Sequence, residues 1–268
     1  MVAVISSALK DVCSFTKHCG GAPINIAAAT AKLGAHSKVL TQVGADAFGD
    51  FILETLSLCQ VDITAVKRTK QYPTALAFVA LDEKGNRDFT FYRDPCADLH
   101  LSAEDITATM FQDCGILHFC SVDLVDSPMK QAHLKAIQLA KEQGAIISFD
   151  PNVRLPLWSS KEDCKNTILE FAPYADILKI SDDELFFLTG QKDCEQVFTV
   201  FPDATIILLT CGEQGSYLMT KEHRLYEKPI PVKAIDTTGA GDAFAAAFLY
   251  QLLRDGISRE QLPHLSKD

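Results

Sequence analysis

From about Ser102 onward, short β-branched and apolar runs alternate with longer segments whose apolar residues recur every three or four positions. GILHFC at 115–120, AIISFD at 145–150, DILKIS at 176–181 and TIILLT at 205–210 have the near-continuous apolar character of parallel strands buried on both faces. Between the first two, Ser127 and Pro128 precede MKQAHLKAIQLAKEQG. This predicts a helix with Ser127 as N-cap, Pro128 at its first position and Gly144 as terminator, and hence a βαβ unit. Ser102 to Asp105 reads as a capping box ahead of the apolar Ile106 and Met110. The earlier stretch TALAFVALDEKGNRDFTFYR, 74–93, differs. It holds two strand-like runs joined by a polar turn around Gly85 and Asn86, an antiparallel hairpin that suggests a lid beside a crevice.

At 268 residues the chain is long for one simple domain and short for two, and no repeat or linker divides it, so one large core with a small appendage is expected. Hydrophobic residues make up 47% against 22% charged, which excludes disorder. A net charge of −10, with no dense cluster of lysine and arginine, argues against a nucleic-acid partner. Nine cysteines without a C-x-x-C pair read as free thiols in a reducing cytosol, and seven histidines without H-E-x-x-H spacing make a histidine-built metal site improbable. The opening MVAVISSAL lacks a basic n-region, and the apolar stretches 74–81 and 244–253 fall short of the ~20 residues of a membrane span, so a soluble, cytoplasmic protein without membrane partners is expected.

Two glycine-rich turns carry the candidate chemistry. In IDTTGAGDAF, 235–244, Gly239 and Gly241 flank one alanine at the mouth of an apolar helix. Amides at such a helix start form an anion site, with Asp242 beside it as a helix cap or as a base. The third glycine of a dinucleotide fingerprint is absent, and no Walker loop occurs anywhere. Phosphoryl transfer needs what remains: donors around the migrating phosphate and a carboxylate to take a hydroxyl proton. In CGGAPIN, 19–25, paired glycines allow close approach of a ligand, Pro23 starts a helix and Asn25 offers a donor and an acceptor, suited to vicinal hydroxyls or to an ordinary helix entry.

These residues carry a resemblance. GGAPINIAAATAKLGAHSKVLTQVGADAFGDFI, 20–52, resembles the first signature of the PfkB (ribokinase-like) family of carbohydrate kinases, and DTTGAGDAFAAAFL, 236–249, resembles the second. FDPNVRLPLW at 149–158, ILKISDDEL and TCGEQG at 210–215 are similar to segments of its fructokinase members, and the likeness spans roughly 14–255. The resemblance implies one ribokinase-like α/β domain over 1–268. Its three-layer α/β/α core would have a mostly parallel central sheet, with a small β lid from about 8–19 and 72–95 that closes over the sugar and joins a homodimer. It implies transfer of the γ-phosphate of ATP to a primary hydroxyl of a hexose, fructose first among them, with other sugars such as 2-keto-3-deoxygluconate left open.

Residue by residue, the resemblance makes Asp242 the catalytic base, with the amides of Gly239, Ala240, Gly241 and Asp242 as the anion hole. Asp11, Gly20, Gly21, Asn25 and Arg93 would meet the sugar, and Arg154 would lie near the substrate or the phosphates. Lys179, Ser181, Thr210, Gly212 and Gly215 would meet ATP. Glu184 would organise Mg2+, directly or through water, from the glutamate of an N-x-x-E motif in which Ser181 replaces the asparagine; the helix dipole alone also favours a glutamate there. Asp236 and Thr238 would hold a monovalent cation, K+. Eight residues separate Asp11 from Gly20, and the chain stops within fourteen residues of Arg254. Relatives carry longer segments at both places, so a second reading is a catalytically weakened sugar- or nucleotide-binding relative.

Overall fold

The computed structural model describes residues 2–3, 9–81, 87–191, 197–232 and 237–265. They sort into two units, Met1–Leu101 with Lys233–Ala247 and Ser102–Val232 with Phe248–Asp268.

The first unit contains β1 (Val2–Ala3), β2 (Phe15–Thr16), α1 (Ala22–Leu33), β3 (Thr41–Gly44), α2 (Ala47–Leu58), β4 (Val66–Thr69), β5 (Leu76–Leu81) and β6 (Arg87–Tyr92). One sheet runs β2-β1-β5-β6. The hairpin read from 74–93 is present as β5 and β6, antiparallel from Leu76 opposite Tyr92 to Leu81 opposite Arg87; its turn at Gly85 and Asn86 lies outside the described residues. Aromatic rings follow the two-residue alternation. Phe78 meets Phe15 and Tyr92 edge to face, while Phe89 and Phe91 stack, placing them on the opposite face. A second sheet pairs β3 and β4 in parallel, and Ala31, Val39, Leu56 and Val61 form a core with Ile24 and Ile52 between α1 and α2.

Asp46 fastens this unit locally. As N-cap of α2 its Oδ1 accepts from the amides of Phe48 and Gly49 at 3.1 and 2.8 Å, and from the Thr74 hydroxyl at 2.8 Å. Its Oδ2 accepts from the Thr74 amide at 2.8 Å, and the Thr74 hydroxyl in turn accepts from the Gly44 amide at 3.0 Å. One carboxylate thus joins the end of β3, the start of α2 and the approach to β5. Burial works to raise its pKa, but the bonds from Thr74, Gly49 and Phe48 outweigh it and hold the carboxyl below its ordinary value.

The second unit contains β7 (Ile116–Cys120), α3 (Pro128–Glu142), β8 (Ile146–Asp150), α4 (Lys161–Phe171), β9 (Ile177–Ser181), α5 (Asp182–Thr189), α6 (Val197–Val200), β10 (Ile206–Thr210), β11 (Ser216–Met219) and β12 (Arg224–Glu227). The four predicted buried runs are β7 to β10, parallel to one another, in a six-stranded sheet of order β12-β11-β10-β9-β8-β7 whose last two strands are antiparallel. Every residue of β8 is buried, as are the first four of β9 and of β10, which is why these segments read as unbroken apolar runs. Helix α3 buries Met129, Ala132, Ile137 and Ala140 at helical spacing. A last helix, α7 (Ala240–Arg254), belongs to the first unit up to Ala247 and to the second from Phe248. Arg259 then grips Asp176 through Nε and Nη2 at 3.0 Å, while Asp176 Oδ2 accepts from the Ile147 amide at 2.8 Å.

Two local expectations change. Ser127 precedes α3, but its hydroxyl donates to the Val125 carbonyl instead of capping the helix. The Ser102–Asp105 capping box forms but introduces only 3₁₀ turns, Ala103–Asp105 and Ala108–Phe111. The β-branched Ile106, Thr107 and Thr109 do not favour a continuous helix there. No helix among the described residues is long and apolar enough to cross a membrane, and the described cysteines are free thiols. Asp46→Ala removes the α2 cap together with the Thr74 ties, and is expected to cost about 2 kcal/mol, read as a lowered urea midpoint at unchanged m-value.

Candidate active site

In the first unit the carboxylate singled out in the sequence stands in the first turn of α7 and is 8% exposed. The Asn25 amide, from the first turn of α1, donates through Nδ2 to Asp242 Oδ2 at 2.7 Å across 217 positions of sequence. Gly239, just before α7, has φ +77°, and a Cβ there would meet Asp242 Oδ2 and Asn25 Nδ2 at 3.8 and 3.9 Å. That is ordinary contact, so backbone conformation rather than space calls for glycine. The same holds for Gly21, N-cap of α1, with φ +126° and no atom nearer than 4.0 Å to an added Cβ.

The amides around this turn divide. Ala240 donates to the Thr237 carbonyl at 3.2 Å, and Ala243 begins the helical ladder on Gly239 at 2.8 Å. Among the described residues no acceptor faces the amides of Gly239, Gly241 and Asp242. Of the four amides expected to line an anion hole, Ala240 therefore closes the turn, and the other three have no acceptor among the described residues. Asp11, in a 3₁₀ turn, Gly20 and Thr238 are exposed. Arg93 is not a free rim arginine: its guanidinium is ion-paired with Asp98, the two side chains 13% and 17% exposed. Asp236 lies outside the described residues.

In the second unit the remaining candidates gather at the carboxyl ends of the parallel strands, where open α/β sheets bind ligands. Thr210 pairs with Ser181 in register. Ser181 and Glu184 form a capping box for α5: the Ser181 hydroxyl accepts from the Glu184 amide at 3.2 Å and the Ser181 amide donates to Glu184 Oε2 at 2.9 Å. Glu184 Oε1 accepts from the Val153 amide at 2.8 Å, so the glutamate holds the loop that presents Arg154. The half-buried Arg154 donates through Nη1 to the Val153 carbonyl at 2.9 Å. The loop is pinned from below as well: the Asn152 amide donates to Asp150 Oδ1 at 3.0 Å, and the Pro151 carbonyl accepts from the Ser121 amide at 3.3 Å. Asn152 sits at φ +45°, in the left-handed region that asparagine tolerates better than most residues. Gly212 and Gly215 shape the β10–β11 turn. A Cβ on Gly215 would come within 2.4 Å of the Glu227 carbonyl, so close packing by β12 already demands that glycine.

Lys179 does not stand on the surface. It is 7% exposed and pairs at 3.0 Å with Asp150, which is fully buried. Burial works against its charge, but Asp150 and then Glu184 outweigh that and hold its pKa above the ordinary lysine value. Alongside, His118 Nδ1 and the Ser148 hydroxyl lie 3.0 Å apart at paired positions of β7 and β8. Desolvation, helped by the charge of Lys179, pushes the His118 pKa down to about 3. His133, beside Phe119, is also held below its ordinary value by desolvation, against the opposing pull of Asp123 and the Met129 carbonyl.

Sequence reasoning missed the Asp46 clamp, Asp150 and the Asn25–Asp242 bond. The first two left a signal: Asp46 precedes a helix with glycine three positions on, and Asp150 and Lys179 are charged residues inside otherwise apolar strand runs. The third left none, because nothing local links positions 25 and 242.

The second unit has the parallel α/β sheet of many ligand-binding enzymes, and the first unit sets a mostly buried carboxylate at a helix start. The model of the pfkB family carbohydrate kinases matches residues 4–262, and the chain belongs to that family. It is thus a phosphotransferase with an alcohol group as acceptor. It is 38% identical over 262 residues to probable fructokinase-2 of Arabidopsis thaliana, covering 97% of this chain and 80% of that protein. Its structure is similar to fructokinase with bound ATP from Xylella fastidiosa, with a TM-score of 0.90 and 31% identity over 98% of this chain and 81% of that one. Fructokinase of Vibrio cholerae O395 in its fructose, ADP and calcium ion bound form is similar at TM-score 0.82 and 36% identity, over 94% of this chain and 81% of that one. The fold is the ribokinase-like α/β fold of these neighbours.

Lys179→Met strands a fully buried carboxylate and is expected to destabilise the protein by about 3–5 kcal/mol, read by urea unfolding. The two histidines set an acid limit. Their folded pKa values lie below the ordinary 6.5, so the unfolded chain binds protons that the folded one refuses. Their contribution is complete above that pH and is lost as pH falls below it, by up to about 1.4 kcal/mol per pH unit for each histidine. Unfolding free energy measured from pH 8 to pH 5 should bend downward near 6.5, and His118→Gln should flatten the slope.

Proposed function

We propose that this chain is an ATP-dependent fructose kinase. The observation that carries the reading is Asp242, seated among open amides at the start of α7 and held by Asn25 at 2.7 Å. Asp242 takes the proton of a primary hydroxyl, the freed oxygen attacks the γ-phosphorus, and the bond to the β–γ bridging oxygen breaks so that ADP departs. The amides of Gly239, Gly241 and Asp242 receive charge on the migrating phosphoryl group. Fructose and ATP are supported as substrates by the relatives named above. Gly20, Gly21, Asn25 and Asp11 form the sugar side, with Arg93 acting through its pairing with Asp98. Arg154, Ser181, Thr210 and Gly212 form the nucleotide side, while Lys179 and Gly215 shape its floor.

Magnesium would come with the nucleotide. Among the described residues no group of three or more His, Cys, Asp or Glu side chains stands ready as a cage, which suits an ion that takes one or two carboxylates plus phosphates. Glu184 keeps lone pairs beyond the two backbone bonds it accepts, so it fits a water-mediated role. The bound ion would neutralise charge on the phosphates. Asp236 and Thr238 remain the proposed potassium ligands. The β2-β1-β5-β6 sheet, aromatic on both faces, is suited to cover sugar with one face and a second copy with the other in a cytoplasmic homodimer.

A coupled ADP assay with magnesium tests the reading. Fructose-dependent ADP release is expected to exceed release with 2-keto-3-deoxygluconate, and Asp242→Asn to lower kcat by about 10²–10⁴-fold. No sugar-dependent release across a panel including fructose would sink it.

A further inference from the structure

The carboxylate of Asp242 has a fixed neighbour, and its identity constrains what that neighbour does. An ionised carboxylate only accepts hydrogen bonds, so at 2.7 Å the Asn25 amide must present its NH2 and not its oxygen. The Asn25 backbone is itself locked, its N–H donating to the Gly21 carbonyl at 2.8 Å in the first turn of α1. Asp242 is 8% exposed, so little water competes for Oδ2. A short bond from a backbone-anchored donor fixes the rotamer of the carboxylate and leaves Oδ1 to meet a hydroxyl.

We infer that Asn25 is a positioning residue for the base: it acts on the reaction through Asp242, beyond any contact it makes with sugar. This rests on the kinase reading for its kinetic consequence, but the coupling of the two side chains is a property of the folded protein alone. Positioning and sugar binding part company in kinetics. Loss of a sugar contact raises KM; loss of the base's orientation lowers kcat at saturating sugar.

The test is a double-mutant cycle of Asn25→Leu and Asp242→Ala, read by thermal melting without ligand and by kcat with saturating fructose and Mg-ATP. Asn25→Leu should lower the melting temperature by a few degrees in the wild-type background and leave it within one degree in Asp242→Ala. It should lower kcat at saturating sugar more than tenfold, in addition to any rise in fructose KM from the lost sugar contact, and have under a twofold effect on the residual kcat of Asp242→Ala. Asn25→Ser, which keeps a shorter donor, should recover part of the kcat. Equal melting shifts in both backgrounds, or kcat losses that multiply, would overturn the inference. The melting arm needs no turnover, so it decides the coupling even if the wild-type chain releases no ADP, an outcome that would count against the kinase reading instead.

Discussion

The first turn of every α-helix leaves N–H groups without carbonyl partners, and the way each helix here disposes of them separates scaffold from site. Helix α2 gives its donors to Asp46, α4 one to Ser160, and α5 closes a reciprocal box between Ser181 and Glu184. Helix α3 spends one position on Pro128, which has no donor. Helices α1 and α7 begin on Gly21 and Gly239, residues with no side chain to cap with and with φ values of +126° and +77°. No side chain among the described residues caps either start. Helices α1 and α7 also supply Asn25 and Asp242.

That division explains why glycine at these turns is not a matter of crowding. An added Cβ meets nothing close at either position, whereas at Gly49 it would lie 2.2 Å from the Gly44 carbonyl. Gly49 is required by packing, whereas Gly21 and Gly239 are required by backbone conformation.

Much of this was legible in the sequence wherever the cause was local. The four parallel strands appear within one residue of their apolar runs, because burial on both faces removes the need for polar alternation. Helix α3 announces itself by Pro128 and by its spacing. The Ser102 box was legible too, yet it marks only a start; with Ile106 and Thr107 following, no long helix grows from it. At the site, Asp242 stood out because its glycines lie beside it. Its partner did not, since a contact spanning 217 positions is written by the fold and not by any neighbourhood. Arg93 illustrates the same gap: its charge was evident, but its neutralisation by Asp98 depends on how the chain turns between them.

The buried pair of Lys179 and Asp150 follows the same logic of double duty. Removing two charges from water costs about as much as their attraction returns, so such a pair is a poor source of stability by itself. Asp150, however, is not spent on Lys179 alone: its Oδ1 holds the Asn152 amide while Oδ2 faces the ammonium. Glu184 repeats the pattern from above, one oxygen on α5 and the other on Val153. Between these two carboxylates the three residues leading to Arg154 have their backbone donors committed, proline having none. The ion pair then serves as the foundation of a loop with a fixed backbone, to which the guanidinium of Arg154 is tied by its bond to the Val153 carbonyl.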